Sequence, residues 1–317
     1  MPTLEERQAL AEEDLAKKLR LEKPLSIRAR NLLRDISRDL SSTYGATGSV
    51  LDADQYRDEF EGILLPAYRK AEREFGRVQS RDLVAPRPGS EPTFLRRLFE
   101  LLAYSRSMDI DERIAEFSHK RDTRLRAFSD SEVPKRARYI TETNQKEIDR
   151  AIAVAVSEAS QSSTPVSRIA IGERAGQVFR DSSLYRGQLI ATTEIQNASE
   201  GAKGIEADSL EEAIRPLAGD SRVSELDKVK EWHTQGDEKV RESHVAADLQ
   251  RRGFEDPFLV QNERLRYPGD TSLGASLGNT IKCRCSAIYF IDGTVERVVT
   301  ANSDVGIIPE GSLDIVS

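Results

Sequence analysis

Cysteine, histidine and tryptophan are scarce in this sequence. Its 317 residues include two Cys, three His and one Trp, and aromatic residues make up only 6%. Two cysteines in so long a chain exclude the disulfide framework that holds small secreted proteins together. The first 20 residues alternate acidic and basic side chains without an apolar segment, so we expect no secretory signal and a protein that stays in the cytoplasm after synthesis.

Long apolar runs and excess positive charge are also missing. No stretch approaches the roughly 18–20 apolar residues that a membrane-spanning helix needs, and we therefore expect no membrane partner. The formal net charge is −7, which argues against a protein that binds nucleic acid with its whole surface. One segment, residues 120–138, is locally rich in Lys and Arg. A solvated helix face is the ordinary explanation of such a run, and contact with DNA is the alternative.

The first two thirds of the chain have a helical pattern. Apolar residues recur at helical spacing from Leu25 to Leu40 and from Tyr56 to Ala67. We expect Pro24 to interrupt a charged helix that begins within residues 1–22, and Pro66 to kink or end the helix of the second stripe. We predict an N-terminal helical arm over residues 1–84 and a helical region over 93–184, separated by a stretch rich in proline and glycine. Because the linkers around the apolar stripes look flexible, we expect the stripes to be buried on a partner protein.

A later helix has a start signal of its own. Thr164 is the predicted N-cap, because its hydroxyl can accept from open backbone N–H groups. Pro165 follows at the first helical position, where its missing N–H costs nothing.

The last third changes character. Short segments at 229–234, 257–265, 285–291 and 295–301 have strand composition, and glycine-containing turns separate them. We predict a compact α+β domain over 185–300 and a polar tail over 301–317. The predicted fold class is therefore α+β, with a mainly helical N-terminal two thirds followed by a small α+β domain.

The metal-ligating residue types are concentrated in this domain. His233, His244, Cys283 and Cys285 would form the Cys2His2 set of a structural zinc site. A Cys-x-Cys spacing is shorter than the usual Cys-x2–4-Cys, although both sulfurs would face one side of a strand. Two half-buried thiols at the start of a strand are the alternative. A disulfide between them is disfavoured, because so tight a ring would be strained.

A set of polar residues in the same domain needs partners. Asp237 is a predicted helix cap, and with Arg241 and His244 it falls on one predicted helix face. An exposed polar face is the ordinary interpretation, and a buried ionic cluster is the alternative. Glu194 lies in the middle of an apolar helix stripe, where a lone buried carboxylate is costly. Arg241 is its expected partner through a bidentate contact, with His244 as the second candidate. No P-loop, nucleophile elbow or HExxH motif is present, so we expect no catalytic residues and no enzyme.

Together these residues resemble the phage head morphogenesis family, the Mu F-like minor head proteins of tailed bacteriophages. The resemblance covers roughly Val133 to Tyr289 and departs from the family where Ala191-Thr192 replace an arginine and Lys282 replaces a common asparagine. It consists of short motifs in a fixed order, namely Thr193-Glu194, Trp232, Asp237 with Arg241 and His244, Pro268-Gly269-Asp270, and Cys283-Arg284-Cys285.

The resemblance implies a structural role in assembly. It implies a minor capsid protein of the head interior that binds at or near the portal during procapsid assembly in the host cytoplasm. Portal, scaffold and capsid proteins are the implied partners, with a weak contact to packaged DNA. Arg241 and His244 stand where many members carry a Cys pair. We therefore expect no cofactor and no metal requirement for folding, with zinc as the one metal that the residues could hold.

Two functions of other classes remain open at this stage. The first is a zinc-dependent hydrolase or nuclease built on His233, His244, Cys283 and Cys285. The second is a DNA-binding ejection protein that uses the basic segment near residues 121–138.

Overall fold

The structure is a computed structural model that describes residues 3–76, 110–214 and 227–292. Four long helices dominate it, and they are α1 (Leu4–Thr47), α2 (Arg57–Phe75, preceded by a 3-10 turn at Ala53–Tyr56), α3 (Ile110–Ser160) and α4 (Arg168–Ile214). The smaller elements are strand β1 (Asp227–His233), helix α5 (Glu242–Val245), strands β2 (Arg251–Gly253), β3 (Phe258–Val260) and β4 (Glu263–Leu265), helix α6 (Leu277–Thr280) and strand β5 (Ser286–Asp292). The predicted α+β class with helical bulk is confirmed.

The chain divides into two compact units, each assembled from separate segments. The helical unit consists of Lys18–Lys70 and Phe128–Ile195. The sheet unit combines Met1–Lys17, Ala71–Ala127 and Gln196–Ser317, so each long helix contributes to both units. The boundary predicted between residues 184 and 185 falls inside α4. Those predicted at 84–93 and 300–301 lie outside the described residues.

Helix α1 begins with a capping box and continues through proline. The Thr3 hydroxyl accepts a 3.2 Å hydrogen bond from the Glu6 N–H, and the Glu6 carboxylate accepts from the Thr3 N–H. The predicted break at Pro24 is wrong, because α1 runs on to Thr47. Leu21 and Leu25 on either side are 4% and 2% exposed, and burial of this stripe outweighs the cost of about 3 kcal/mol of one internal proline. Pro66 likewise lies inside α2 without ending it.

The apolar stripes of the first two helices are buried within the chain. Leu33, Ile36 and Leu40 of α1 and Phe60 and Leu64 of α2 are all 0% exposed. The expectation that these stripes are kept for a partner protein is therefore wrong, because they already form the chain's own core. The helical periodicity predicted which residues form the apolar face of each helix. It could not show whether that face packs within the chain or against another protein.

Close approach of α1 and α4 in the helical unit depends on small residues. A Cβ added at Gly172 would lie 2.6 Å from the Ser41 carbonyl oxygen, and one at Gly176 would lie 2.8 Å from the Ser37 carbonyl oxygen. The Ser37 hydroxyl donates a 2.8 Å hydrogen bond to the Gly176 carbonyl. Only glycine permits this helix spacing.

Helix α4 starts later than predicted. Its first residue is Arg168, and the Ser167 hydroxyl accepts from the Ala170 N–H at 3.2 Å, so Ser167 takes the capping role expected of Thr164. Arg168 donates to the carbonyls of Gly45 and Ala46 at the end of α1. A cation suits these open carbonyls at a helix C-terminus, and this contact favours the later start.

The sheet unit contains a three-stranded antiparallel sheet in the order β2-β1-β5 and a separate β3-β4 hairpin. The strands predicted near 229–234, 257–265 and 285–291 are confirmed, with the second forming the hairpin, and the segment 295–301 lies outside the described residues. Alternation along β1 sends Trp232 into an apolar cluster with Phe258, Leu265 and Ala287. The sequence neighbours of Trp232 therefore face the opposite side.

Candidate metal centre

His244, Cys283 and Cys285 converge in the interior of the sheet unit. The His244 Nδ1 lies 3.4 Å from the Cys285 Sγ and 3.8 Å from the Cys283 Sγ, and one ligand atom from each residue lies within 4.8 Å of the others. All three side chains are buried, and the two cysteines are not joined by a disulfide. Among the described residues, these three are the group of His, Cys, Asp or Glu side chains whose ligand atoms lie close enough together to hold one metal ion.

Local chain geometry explains why the two sulfurs share one side. Residues 281–285 connect α6 to β5, and Lys282 adopts a positive φ of 54°. Side chains then alternate, so Cys283 and Cys285 point inward. Arg284 between them points outward, where its guanidinium forms 2.8 and 2.6 Å hydrogen bonds with the Asp237 carboxylate. The Cys-x-Cys spacing thus presents two thiols to the same histidine.

Gln196 of α4 ties this segment to the neighbouring loop. Its Nε2 donates to the Cys285 carbonyl at 2.8 Å and to the Pro268 carbonyl at 3.1 Å, and lies 4.0 Å from the Cys283 Sγ. Gly269, which follows Pro268, has a φ of +90°, and a Cβ there would come within 3.1 Å of the Gln196 Cγ. The loop therefore needs glycine both for its backbone angle and for the close approach of Gln196.

The surroundings of the cluster are apolar and contain unsatisfied polar atoms. The Trp232 ring meets His244 edge-on at 5.4 Å and Phe258 at 5.3 Å. Among the described residues, His244 Nε2, Trp232 Nε1 and Gln196 Oε1 are buried without a hydrogen-bond partner. Such atoms are rare in folded proteins and often mark a place where a water or an ion belongs.

The electrostatics of the cluster favour a thiolate. Burial alone would raise the pKa of the Cys283 thiol, but hydrogen bonds from Cys285 and His244 outweigh burial and hold the pKa well below its ordinary value. A thiolate is the form of cysteine that binds metals and reacts as a nucleophile.

His233, the fourth predicted ligand, lies in a different cluster. It is on the face of β1 opposite Trp232, with its Nε2 at 2.8 Å from the Glu231 Oε1, out of line for a hydrogen bond. Glu231 also meets Arg7 at 2.8 Å and Arg251 at 2.6 Å. Burial lowers the pKa of His233, although Glu231 opposes the shift. The predicted set of four ligands therefore separates into a group of three and a lone histidine in an ion-pair cluster.

The predicted polar helix face does not form. Only Glu242–Val245 is helical, and Arg241 is its N-cap residue, so Asp237 lies outside the helix. The exposed Asp237 pairs with Arg284, which lowers the pKa of that carboxyl. Arg241 donates to the Ile281 carbonyl next to the cysteine segment. These residues border the candidate metal centre from outside, while His244 and Trp232 are part of its interior.

Glu194 pairs with an arginine, as expected, but with Arg136 and not with the predicted Arg241. The Glu194 carboxylate is bidentate with Arg136 of α3, with contacts of 2.8–3.1 Å, and accepts a 2.9 Å hydrogen bond from the Tyr68 hydroxyl. All three residues belong to the helical unit, whereas Arg241 belongs to the sheet unit. Arg136 lies in the basic segment, residues 120–138, so at this residue the segment forms a buried ion pair instead of the solvated face or DNA contact that its composition suggests.

Three polar residues of α4 that we had not predicted line the edge of β5. Gln196 bonds the Cys285 carbonyl, Glu200 accepts a 2.9 Å hydrogen bond from the Ala287 N–H, and Lys203 donates to the Ala287 carbonyl at 2.9 Å. They stand at i, i+4 and i+7, so they share one helix face. This spacing was visible in the sequence, but nothing there showed that the polar face would be the buried one.

The geometry of the cluster fits a divalent cation with soft ligands. A tetrahedral zinc site has Zn–S distances near 2.3 Å and Zn–N distances near 2.0–2.1 Å, which places N and S ligand atoms about 3.6 Å apart. The two N···S distances here, 3.4 and 3.8 Å, lie on either side of that value. The same distances also suit a weak hydrogen bond between imidazole and thiol. His244, Cys283 and Cys285 would hold the cation.

Comparisons with protein-family models, curated proteins and solved structures found no match to this chain. Across the described ranges, none of the helices combines the length and apolarity that crossing a membrane would require.

Proposed function

We propose that this chain is a minor head protein of a tailed bacteriophage, which joins the procapsid at or near the portal and resides in the head interior. The proposal gives it a structural role with portal, scaffold and capsid proteins as partners, and no catalytic activity. It starts from the resemblance of the motifs between Thr193 and Cys285 to the Mu F-like minor head proteins.

The contacts of Gln196 are the observation that carries the proposal. Gln196 lies two residues after the Thr193-Glu194 motif and binds the carbonyls of Pro268 and Cys285, which belong to two other motifs. Trp232 and His244, from the remaining motifs, pack edge-on against each other beside Cys283 and Cys285. The motifs that contain Trp232, His244, Pro268 and Cys283-Arg284-Cys285 are separated in sequence but lie together within the sheet unit, as expected if they belong to a single domain.

The charges of the basic segment favour an assembly role over DNA binding. Each of five basic side chains in it meets a carboxylate within 3.0 Å, and these are Lys120, Arg121, Arg124, Lys135 and Arg136. Guanidinium and ammonium groups that are already paired with carboxylates neutralise fewer DNA phosphates, so fewer counterions are released from the DNA on binding. Contact with packaged DNA is therefore the weaker part of the proposal.

A composition analysis of phage particles tests the proposed role. The phage or prophage that encodes the chain would be propagated with and without its gene, and procapsids and mature virions would be purified and analysed by quantitative mass spectrometry. We expect a few copies per procapsid, fewer than of the major capsid protein by at least about tenfold, and loss of infectious particles in the deletion that the gene in trans restores.

An abundant cytoplasmic host protein of similar size serves as the contamination control in the same preparations. Absence of the chain from procapsids and virions, or its presence only at the level of that control, would contradict the proposal. Crosslinking within procapsids should connect the chain to the portal protein, and crosslinks confined to tail proteins would equally count against it.

A further inference from the structure

We infer that His244, Cys283 and Cys285 form a three-ligand site for one thiophilic divalent cation of the zinc class, and that the fold holds the ligands in place before the cation binds. The inference concerns this chain's own residues and rests on the geometry of the cluster. It stands whether or not the chain is a phage protein.

The ligand atoms already have the arrangement that a cation needs. Both sulfurs face the same imidazole nitrogen, His244 Nδ1, at 3.4 and 3.8 Å. The site is closed to solvent, since the three residues are 1–3% exposed. Two thiolates and an imidazole select zinc, cobalt or cadmium over magnesium or calcium, which prefer oxygen ligands.

Contacts that involve no cation keep these ligands in position. Gln196 donates to the Cys285 carbonyl, and Arg241, at the N-cap position of the helix that carries His244, donates to the Ile281 carbonyl. On the other side, β5 pairs with β1 in the register Trp232↔Ala287. A small domain organised by zinc alone unfolds without it, whereas this site has backbone anchors on both sides of the two cysteines.

The fourth ligand of the cation would be a water or another small ligand. Within the described residues no fourth His, Cys, Asp or Glu atom joins the three. His233 is held apart beside Glu231, as described above. A site with three protein ligands keeps one position for a water or another small ligand, in contrast to the closed sets of four in purely structural sites.

Cobalt titration of the purified full-length chain is the direct test. The protein would be treated with a chelator under a non-thiol reductant and then titrated with Co²⁺. We expect one equivalent to produce thiolate-to-cobalt charge-transfer bands and the visible bands of a tetrahedral site, both bleached by one equivalent of Zn²⁺. The chain contains a single tryptophan, and Trp232 touches His244, so its fluorescence should change over the same titration. Absence of these signals in a folded, reduced protein would overturn the inference.

Substitutions identify the ligands. Cys283→Ser, Cys285→Ser and His244→Asn should each weaken Co²⁺ binding by more than the roughly 10–100-fold that loss of an outer-sphere partner costs. His233→Asn is the matched control, a buried histidine of the same sheet unit, and should leave the affinity within about threefold. Equal losses in His233→Asn and His244→Asn, with both proteins folded by circular dichroism, would overturn the assignment.

The claim of a pre-formed site is tested on the native chain without substitutions. In chelator the melting temperature should stay above that of a Gln196→Ala variant, and added Zn²⁺ should raise it further, as any ligand of the native state does. Cooperative unfolding of the native chain on chelation alone would show that the cation holds the fold, and would overturn this part of the inference.

Discussion

The buried ion pair between Glu194 and Arg136 gives the sharpest prediction on stability. The two side chains are 2% and 11% exposed, and three of the contacts between them lie at 2.8–3.1 Å. Removing one partner of a buried pair leaves the other charge unmatched, which costs about 3–5 kcal/mol. That is a large share of a domain's stability of about 5–15 kcal/mol.

The two single variants should differ, because the orphaned groups differ. Arg136→Ala leaves a carboxylate at 2% exposure that keeps the Tyr68 hydroxyl as its donor among the described residues, so we expect a loss near the upper end of that range. Glu194→Ala leaves a guanidinium that is 11% exposed and closer to water, so its loss should be nearer 3 kcal/mol.

A double-mutant cycle measures the coupling. Wild type, both single variants and the double variant would be unfolded in urea and followed by circular dichroism, and we expect a coupling energy of about 1–3 kcal/mol. Asp35 and Arg38 provide the matched control in the same helical unit, since their ion pair is 51% and 74% exposed and should couple by less than about 1 kcal/mol. Additive losses at Glu194 and Arg136 would refute the reasoning.

Three further predictions address the packing, the buried lysine and the N-terminal contact. Gly176→Ala should destabilise the protein by about 1–3 kcal/mol in thermal unfolding, because the added Cβ would lie 2.8 Å from a backbone oxygen. Gly62→Ala is the control and should be neutral or stabilising, because a Cβ there meets nothing within 4 Å. Equal effects of the two substitutions would contradict this prediction. Burial lowers the pKa of Lys230 from 10.5 to about 8, so the unfolded chain binds more protons between these values and stability should rise with pH across that window. Lys230→Met should flatten this rise in urea midpoints, and an unchanged slope would count against it. Arg7→Ala should speed amide exchange in β1, because Glu231 loses the Arg7 guanidinium and keeps that of Arg251. Unchanged exchange would show that the Arg7 contact adds nothing.

Residue composition and helical spacing were enough for the fold class but not for the helix ends. Strand composition with flanking turns identified β1 and β5, and helical spacing identified the stripes of α1 and α2. Proline was given too much weight as a break, since Pro24 and Pro66 lie inside α1 and α2. The reason is energetic, because a local cost of about 3 kcal/mol per proline competes with the burial of several large side chains on the same helix.

Pairing between distant residues was the part that the sequence could not supply. The apolar neighbours of Glu194 indicated that it needs a cationic partner. The structure confirms that this partner is an arginine. Arg241 was the expected partner because of its predicted helix face, and the observed partner is Arg136 of α3. The choice depends on which elements pack together, because α4 belongs to the helical unit as far as Ile195 and to the sheet unit from Gln196 onward.

The choice between the two histidines, by contrast, could have been made from the sequence. His233 directly follows Trp232 on a strand, and adjacent strand residues face opposite sides of a sheet. A large apolar ring such as Trp232 faces the core, which sends His233 to the other face, where it meets Glu231. The side chains of Cys283 and Cys285 share one face by the same rule, and both lie in the core cluster of Trp232. Strand parity therefore removes His233 from the metal-ligand set and leaves His244, supplied by a separate short helix, as the histidine that the two thiols can share.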